Sequence, residues 1–257
     1  MAKRDEIIKF IFYYFGEEFV KKSKSKDDYI NGVQIKGSEE VKKIALGVSV
    51  NIEFLEKCCD WGANFIIVHH GISLNKIDHY LNPILKKRFK ILFDNDMTLL
   101  GFHYMLDAHK EIGNNAQILK KLGAKIVEPF YDEWGWVGEL PKQIAIKEIV
   151  ARLTRIFNHQ PAKYLFGKSH VKKAAVTSGG GTPRINEMPE FLEKDLDLYV
   201  TGETRESTPA LIKEAGMNYL SFGHYDTEKF GVMALGELIK KNFSDLEVKF
   251  IDVPNPL

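Results

Sequence analysis

From about residue 43 onward, short apolar and β-branched runs alternate with stretches whose apolar positions recur every three to four residues. That alternation predicts an α/β fold with a largely parallel sheet. The expected strands are Lys43–Val50, Phe65–Val68, Thr98–Phe102, Val171–Thr177, Leu198–Val200, Tyr219–Phe222 and Val248–Val253. Helix starts are signalled by Asn51 before IEFLEKCC, by Asp5 before EIIKFIFYYF, and by Pro183 after the glycine run. One stretch breaks the rhythm. EPFYDEWGWVGEL, from Glu128 to Leu140, is rich in aromatics and glycine and has no helical period, so it reads as a seam between two halves. Its Trp134 and Trp136 are expected to be buried or at an interface, which argues against a flexible linker.

Composition narrows the class without naming it. A chain of 257 residues with 44% hydrophobic content can build a sizeable core. Lys plus Arg (36) nearly cancels Asp plus Glu (35), and the net charge of +1 gives no global attraction to nucleic acid or an anionic membrane. The only cysteines, Cys58 and Cys59, are sequence neighbours, a poor arrangement for a structural disulfide and one that fits a reducing, cytoplasmic setting. Lys9 interrupts the apolar stretch Ile7 to Phe15, and Glu17 and Glu18 follow it, so an amphipathic helix is expected there and not a signal peptide. No window reaches the roughly 18 uninterrupted apolar residues of a spanning helix, and a soluble chain is expected. The charge run KKSKSKDD, Lys21 to Asp28, reads as a solvated helix end and loop.

Four motifs fall where an expected strand ends and the chain turns toward a helix, the place where open α/β sheets bind ligands. They are NFIIVHHG with His69 and His70, LLGFHYMLDAH with His103 and Asp107, AAVTSGGGTP with Gly179, Gly180 and Gly181, and YLSFGHYDTE with His224 and Glu228. Adjacent strand residues point to opposite faces, so His69 and His70 serve one site only if the backbone bends, or if each serves a different ion. The alternative, one histidine buried and the other solvated, stands at about even odds on the pair alone. Gly71 permits the bend. His224 and Glu228 are four apart and face the same way on a helical turn, a spacing that in isolation is more often a solvated pair, against which stands the apolar strand YLSF running directly into it. Asp107 is either a carboxylate able to bridge two cations or a turn cap. His103 is a candidate proton shuttle, a ligand or a buried structural ring. The glycine run either cradles an anion or makes a tight turn, with the turn favoured, and Thr201 and Glu203 stand at a further strand end where they would line a pocket. Three imidazoles and two carboxylates without a thiolate suit Zn, Fe, Mn or Mg. Five ligands shared by two ions would leave positions open, the mark of a catalytic site.

Taken together and in order, DYINGVQIKG, VHHG, HYMLDAHKEIGNNAQ, TSGGGT, YVTGE, GHYDTE and FIDVPNPL resemble the YbgI-like, or Ngg-interacting-factor-three-like, proteins. Bacterial members of that family carry the name GTP cyclohydrolase I type 2 homologue. The resemblance covers nearly the whole chain and implies two similar α/β layered halves, residues 1–127 with 220–257 and residues 128–219. It further implies a ring-shaped homohexamer with dinuclear centres facing its cavity. By the same resemblance the metal ligands are His69, His70, Asp107, His224 and Glu228, the two carboxylates bridging, with His103 accompanying Asp107. The chain is of the short type, without the inserted domain of longer relatives. Gly71 stands where many relatives have Pro, and Tyr104-Met105 where many have Thr-Asn.

The leading expectation is a hydrolase with two divalent ions, acting on a nucleotide or another small phosphate-bearing molecule, with His103 moving a proton. Purine-ring opening of GTP would use the same site. The competing expectation is a metal-binding scaffold touching a partner or nucleic acid through basic groups such as Lys86-Lys87-Arg88 and Lys120-Lys121, although such runs are usually solvated.

Overall fold

Runs such as Phe65–Val68, apolar at every position, can be satisfied only where both faces of a strand are covered, and this is where the chain places them. The computed structural model describes residues 1–73 and 81–256. They form two compact units, Met1–Leu106 with Gly231–Val253, and Asp107–Phe230 with Pro254–Leu257. The division falls earlier than the expected seam at 127/128, and it assigns Asp107, His224 and Glu228 to the second unit.

The first unit carries a five-stranded sheet in the order Glu247–Phe250, Lys43–Ser49, Phe65–His70, Thr98–Phe102, Asn31–Ile35. The first four strands are parallel and the last is antiparallel. Helix Ile52–Trp61 opens as expected, with the Asn51 side chain accepting from Phe54 N, and ends at Gly62 in the left-handed region (φ 76). It buries Phe54, Leu55 and Cys58. Gly47 gives the Phe54 ring its space, since a Cβ there would sit 2.3 Å from it. Helix Arg4–Phe15 buries Ile7, Ile11 and Phe15, one face at helical spacing. Asp5 does not cap it, contrary to expectation. Asp5 lies in the first turn and its carboxylate is held by Arg4 and Lys36.

The second unit corrects the expectation of mostly parallel sheets. Its six strands run in the order Lys125–Phe130, Gly135–Ala145, His170–Thr177, Leu198–Thr201, Asn218–Ser221, Ala162–Leu165, and only the pairings of His170–Thr177 with Leu198–Thr201 and of Leu198–Thr201 with Asn218–Ser221 are parallel. The outer pairings are antiparallel. The stretch taken as a seam is a β-hairpin belonging to this sheet, and its turn places Tyr131, Asp132 and Glu133 at φ 56, 51 and 67. Left-handed backbone without glycine or Asn-Gly hides a hairpin from sequence reading. Trp136 is packed against the core, with Nε1 donating to Ala108 O at 3.0 Å. Pro183 opens no helix. A short turn, Ile185–Glu187, follows it, and helix Met188–Glu193 takes Pro189 in its own first turn.

Side chains alternate across this sheet. Ala174, Val176, Leu198, Val200 and Leu220 join one apolar cluster, while Ala175, Tyr199 and Tyr219 join another with Phe130 and Phe191. The two buried tyrosines each need an acceptor for the hydroxyl. Tyr199 donates to Gly181 O at 2.6 Å and Tyr219 to Glu203 O, so both loops of interest are tied to the sheet. Among the described residues, no helix is long and apolar enough to cross a membrane.

Candidate metal centre

The first unit gathers three histidines at the ends of two neighbouring strands. His69 and His70 are the last residues of Phe65–His70, and His103 directly follows Thr98–Phe102. The ring centroids lie 4.5 Å apart for His69 and His70, 4.9 Å for His69 and His103, and 5.3 Å for His70 and His103. One ring nitrogen of each lies within 4.8 Å of the other two. The adjacent pair is therefore brought together. Gly71 contributes close packing: a Cβ there would meet Gln34 Oε1 at 2.1 Å, and that amide bonds both Ile72 N and Ile72 O.

Each ring is oriented through Nδ1. His69, fully buried, lies 2.9 Å from Phe102 O; a carbonyl only accepts, so the proton is on Nδ1 and the lone pair on Nε2. His70 lies 2.9 Å from Ser49 Oγ, which can act in either sense. His103 lies 2.9 Å from Asp27 Oδ2. Burial opposes ionisation of Asp27, but the hydrogen bond from His103 and those from the backbone N–H groups of Tyr29 and Tyr104 hold its carboxyl below the usual range.

The second unit presents Asp107, His224 and Glu228. Asp107 is 5% exposed, and its Oδ1 accepts from Ser178 Oγ at 2.7 Å and Asn114 Nδ2 at 3.0 Å. Asn115 accepts from Ser178 N at 2.6 Å and donates to both Asp107 O and Trp134 O. His224 opens the turn His224–Thr227, and its Nε2 lies 3.1 Å from Glu228 Oε1. Glu228 is 2% exposed, and one of its oxygens lies within 4.8 Å of an Asp107 oxygen. The second nitrogen of His224 meets Glu203 Oε1 at 2.5 Å. Burial disfavours the imidazolium, yet Glu228 and Glu203 outweigh it and raise the ring to about 9.

The glycine run serves this geometry as a turn. Gly179 is left-handed (φ 60), its N–H donates to Thr227 Oγ1, and a Cβ on it would lie 2.0 Å from Glu228 Oε1. Gly181 is tied to Tyr199, and Gly180 is exposed. Thr201 is fully buried, with its hydroxyl 3.4 Å from Gly179 O, so it braces the turn. Glu203 orients His224 and also lines a cavity of about 720 Å³ with His159, Thr204, Ser221, Gly223 and Asp226. Sequence reading passed over Asp27, Ser49, Asn114 and Asn115. Asp27 was hidden in a charge run, although its side chain is only 3% exposed.

The donors fit a borderline or hard divalent cation: imidazole nitrogens and carboxylate oxygens, two of those carboxylates buried side by side, and no thiolate.

A family model described as Duf34/NIF3 (NGG1p interacting factor 3) matches residues 3–256. A relative from Archaeoglobus fulgidus, named GTP cyclohydrolase 1 type 2 homolog, is 35% identical over 257 residues, covering 98% of each chain. One of the same name from Pyrococcus horikoshii is 36% identical over 265 residues, covering 99% of each. The solved structure of protein ybgI, described as of unknown function, matches over 100% of both chains with a TM-score of 0.88 and 31% identity.

Proposed function

The chain belongs to the Duf34/NIF3 family, and from that membership and the donor geometry we propose a metal-dependent hydrolase of a nucleotide or another small phosphate-bearing substrate. The proposed centre is dinuclear. His69 and His70 of the first unit, and Asp107, His224 and Glu228 of the second, are the residues that would hold it. The observation that carries this reading is the Asp107–Glu228 pair, with carboxylate oxygens within 4.8 Å of each other and side chains nearly excluded from water. Two such anions are compatible at neutral pH when cations lie between them.

Divalent ions bound there supply Lewis acidity toward a phosphoryl or carbonyl oxygen and lower the pKa of water. The residues do the rest. Phe102 O and Ser49 orient His69 and His70, while Ser178 and Asn114 fix one oxygen of Asp107. Glu203 orients His224 through Nδ1, and the proton on Nε2, which faces Glu228, must leave before that nitrogen can ligate. His103 accepts the proton of the attacking water on the nitrogen that does not face Asp27. The cavity beside Glu203 is of the size small-molecule sites have, and its carboxylates suit the N–H donors of a base or amine, leaving phosphate to the ions.

The names of the relatives support purine-ring opening of GTP as one form of this chemistry. We propose the assembly to be a homohexameric ring, measurable by light scattering. For the scaffold reading, Lys87 of the basic run is paired with Glu56 and Arg88 is half-buried, which weakens the run as a patch for an anionic partner, so hydrolysis is preferred. The test is metal analysis of the protein as purified, then a nucleotide and phosphoester panel on wild type and Asp107→Ala. Two ions per chain and turnover that both vanish in D107A are expected. Undiminished turnover after complete chelation would overturn the proposal.

A further inference from the structure

We infer that Asp27 is the positioning residue of His103: its carboxylate keeps the ring proton on Nδ1, so that Nε2 carries the lone pair which takes up a proton during hydrolysis. The catalytic half of this statement rests on the function proposed above; the tautomer does not.

Asp27 ends helix Glu17–Lys26 in extended backbone (φ −139), and its side chain turns inward to 3% exposure. It is built in from four sides. Oδ2 accepts from His103 Nδ1 at 2.9 Å, Tyr104 N at 3.0 Å and Asn31 Nδ2 at 2.8 Å, and Oδ1 accepts from Tyr29 N at 2.9 Å. The Tyr29 ring packs over the imidazole, with centroids 4.6 Å apart and planes inclined by 34°. Position and tilt of His103 are thus both set by Asp27 and its neighbour.

An ionised carboxylate only accepts, which puts the proton on Nδ1. It also differs in kind from the partners of the other two rings. His69 faces a carbonyl and His70 a hydroxyl, both neutral, whereas His103 faces an anion able to stabilise imidazolium when it forms. Of the three clustered histidines, His103 therefore has the one partner whose charge can offset a gained proton; a carboxylate also stands behind metal-ligating histidines, so the two roles are separated by zinc affinity.

The test records two-bond proton–nitrogen correlations of the histidine rings in metal-free protein labelled with ¹⁵N-histidine, with His103→Gln assigning the signals. Wild type should show His103 with a pyrrole-type Nδ1 and a pyridine-type Nε2. Asp27→Ala removes the acceptor altogether, whereas the amide oxygen of an Asn could go on accepting from Nδ1, and the alanine variant should populate the other tautomer. A wild-type ring protonated on Nε2, or an unchanged pattern in D27A, would overturn the inference. Zinc affinity separates base from ligand. It should stay within about threefold in D27A, whereas a 10–100-fold loss, as expected on removing the support of a true ligand, would place His103 in the coordination sphere and overturn its role as proton acceptor. Failure of wild type to bind zinc would defeat the proposed function, while the spectra would still decide the tautomer.

Discussion

Replacing Gly179 by alanine tests whether the glycine turn exists to let two ligands approach. The added Cβ would lie 2.0 Å from Glu228 Oε1 and 3.0 Å from His224 Nε2, so the carboxylate would have to retreat by about 1 Å to reach even the closest tolerable contact. Glu228 is 2% exposed and cannot swing into water. The left-handed backbone at φ 60 adds a strain of about 1–2 kcal/mol for a residue with a Cβ. In a chain of this length that strain corresponds to a fall of roughly 2–8 °C in Tm. Displacing one ligand and crowding another should weaken zinc by at least about 10–100-fold, measured by competition with a fluorescent chelator. Gly180→Ala is the control. Its nearest contacts would be at 3.9 Å, so stability and affinity should stay near wild type. Wild-type zinc affinity in G179A, or equal damage in both variants, would refute the reasoning.

Ser178→Ala removes a hydrogen bond to Asp107 Oδ1 and leaves that from Asn114, and should lower zinc affinity about 10–100-fold with little change in Tm, read by the same competition assay. In metal-free protein the His224 ring, raised to about 9, contributes stability that is complete below its ordinary 6.5 and is lost as pH rises through 9. Zinc must displace that proton, so affinity should fall about tenfold per pH unit below 9 from this ring, with proton release visible by calorimetry in buffers of different ionisation enthalpy. Asp197 accepts from Lys172 N at 2.9 Å and Lys173 N at 3.0 Å and pairs with Lys168. Although burial opposes its ionisation, these partners lower its pKa, so its contribution is present above about pH 4 and lost as pH falls below it. Asp197→Ala should cost about 1–3 kcal/mol at pH 6, seen as a lower urea midpoint, and much less at pH 3.

What could be read from sequence followed the periodicity of apolar residues. The strand Thr98–Phe102 was placed to the residue, and the Asn51 cap was recognised, because both are encoded within a few neighbouring positions. The hairpin through Tyr131–Glu133 was missed because its backbone conformation is set by tertiary bonds, among them Tyr131 OH to Glu187 Oε2 at 2.9 Å and Tyr131 N to Glu190 Oε1 at 2.9 Å, and not by turn residues. The candidate ligands were legible as strand-end histidines and carboxylates. Their supports were not, since Asn114, Asn115 and Ser49 look like any polar residue until the chain folds. Asp27 was read as solvent-facing because a run of charges usually is, and one residue of such a run can turn inward without altering the pattern.

The hydroxyls of Tyr199 and Tyr219 end on main-chain oxygens of Gly181 and Glu203. An anchor of that type holds the main chain without using a side chain, although at Gly181 the Tyr199 hydroxyl itself leaves no room for a Cβ, which would lie 2.7 Å from it. Exposed positions of these two loops, such as Gly180 and Thr204, can therefore be exchanged while the backbone stays where the sheet puts it, which offers a route by which one scaffold could acquire different substrates without rebuilding its floor.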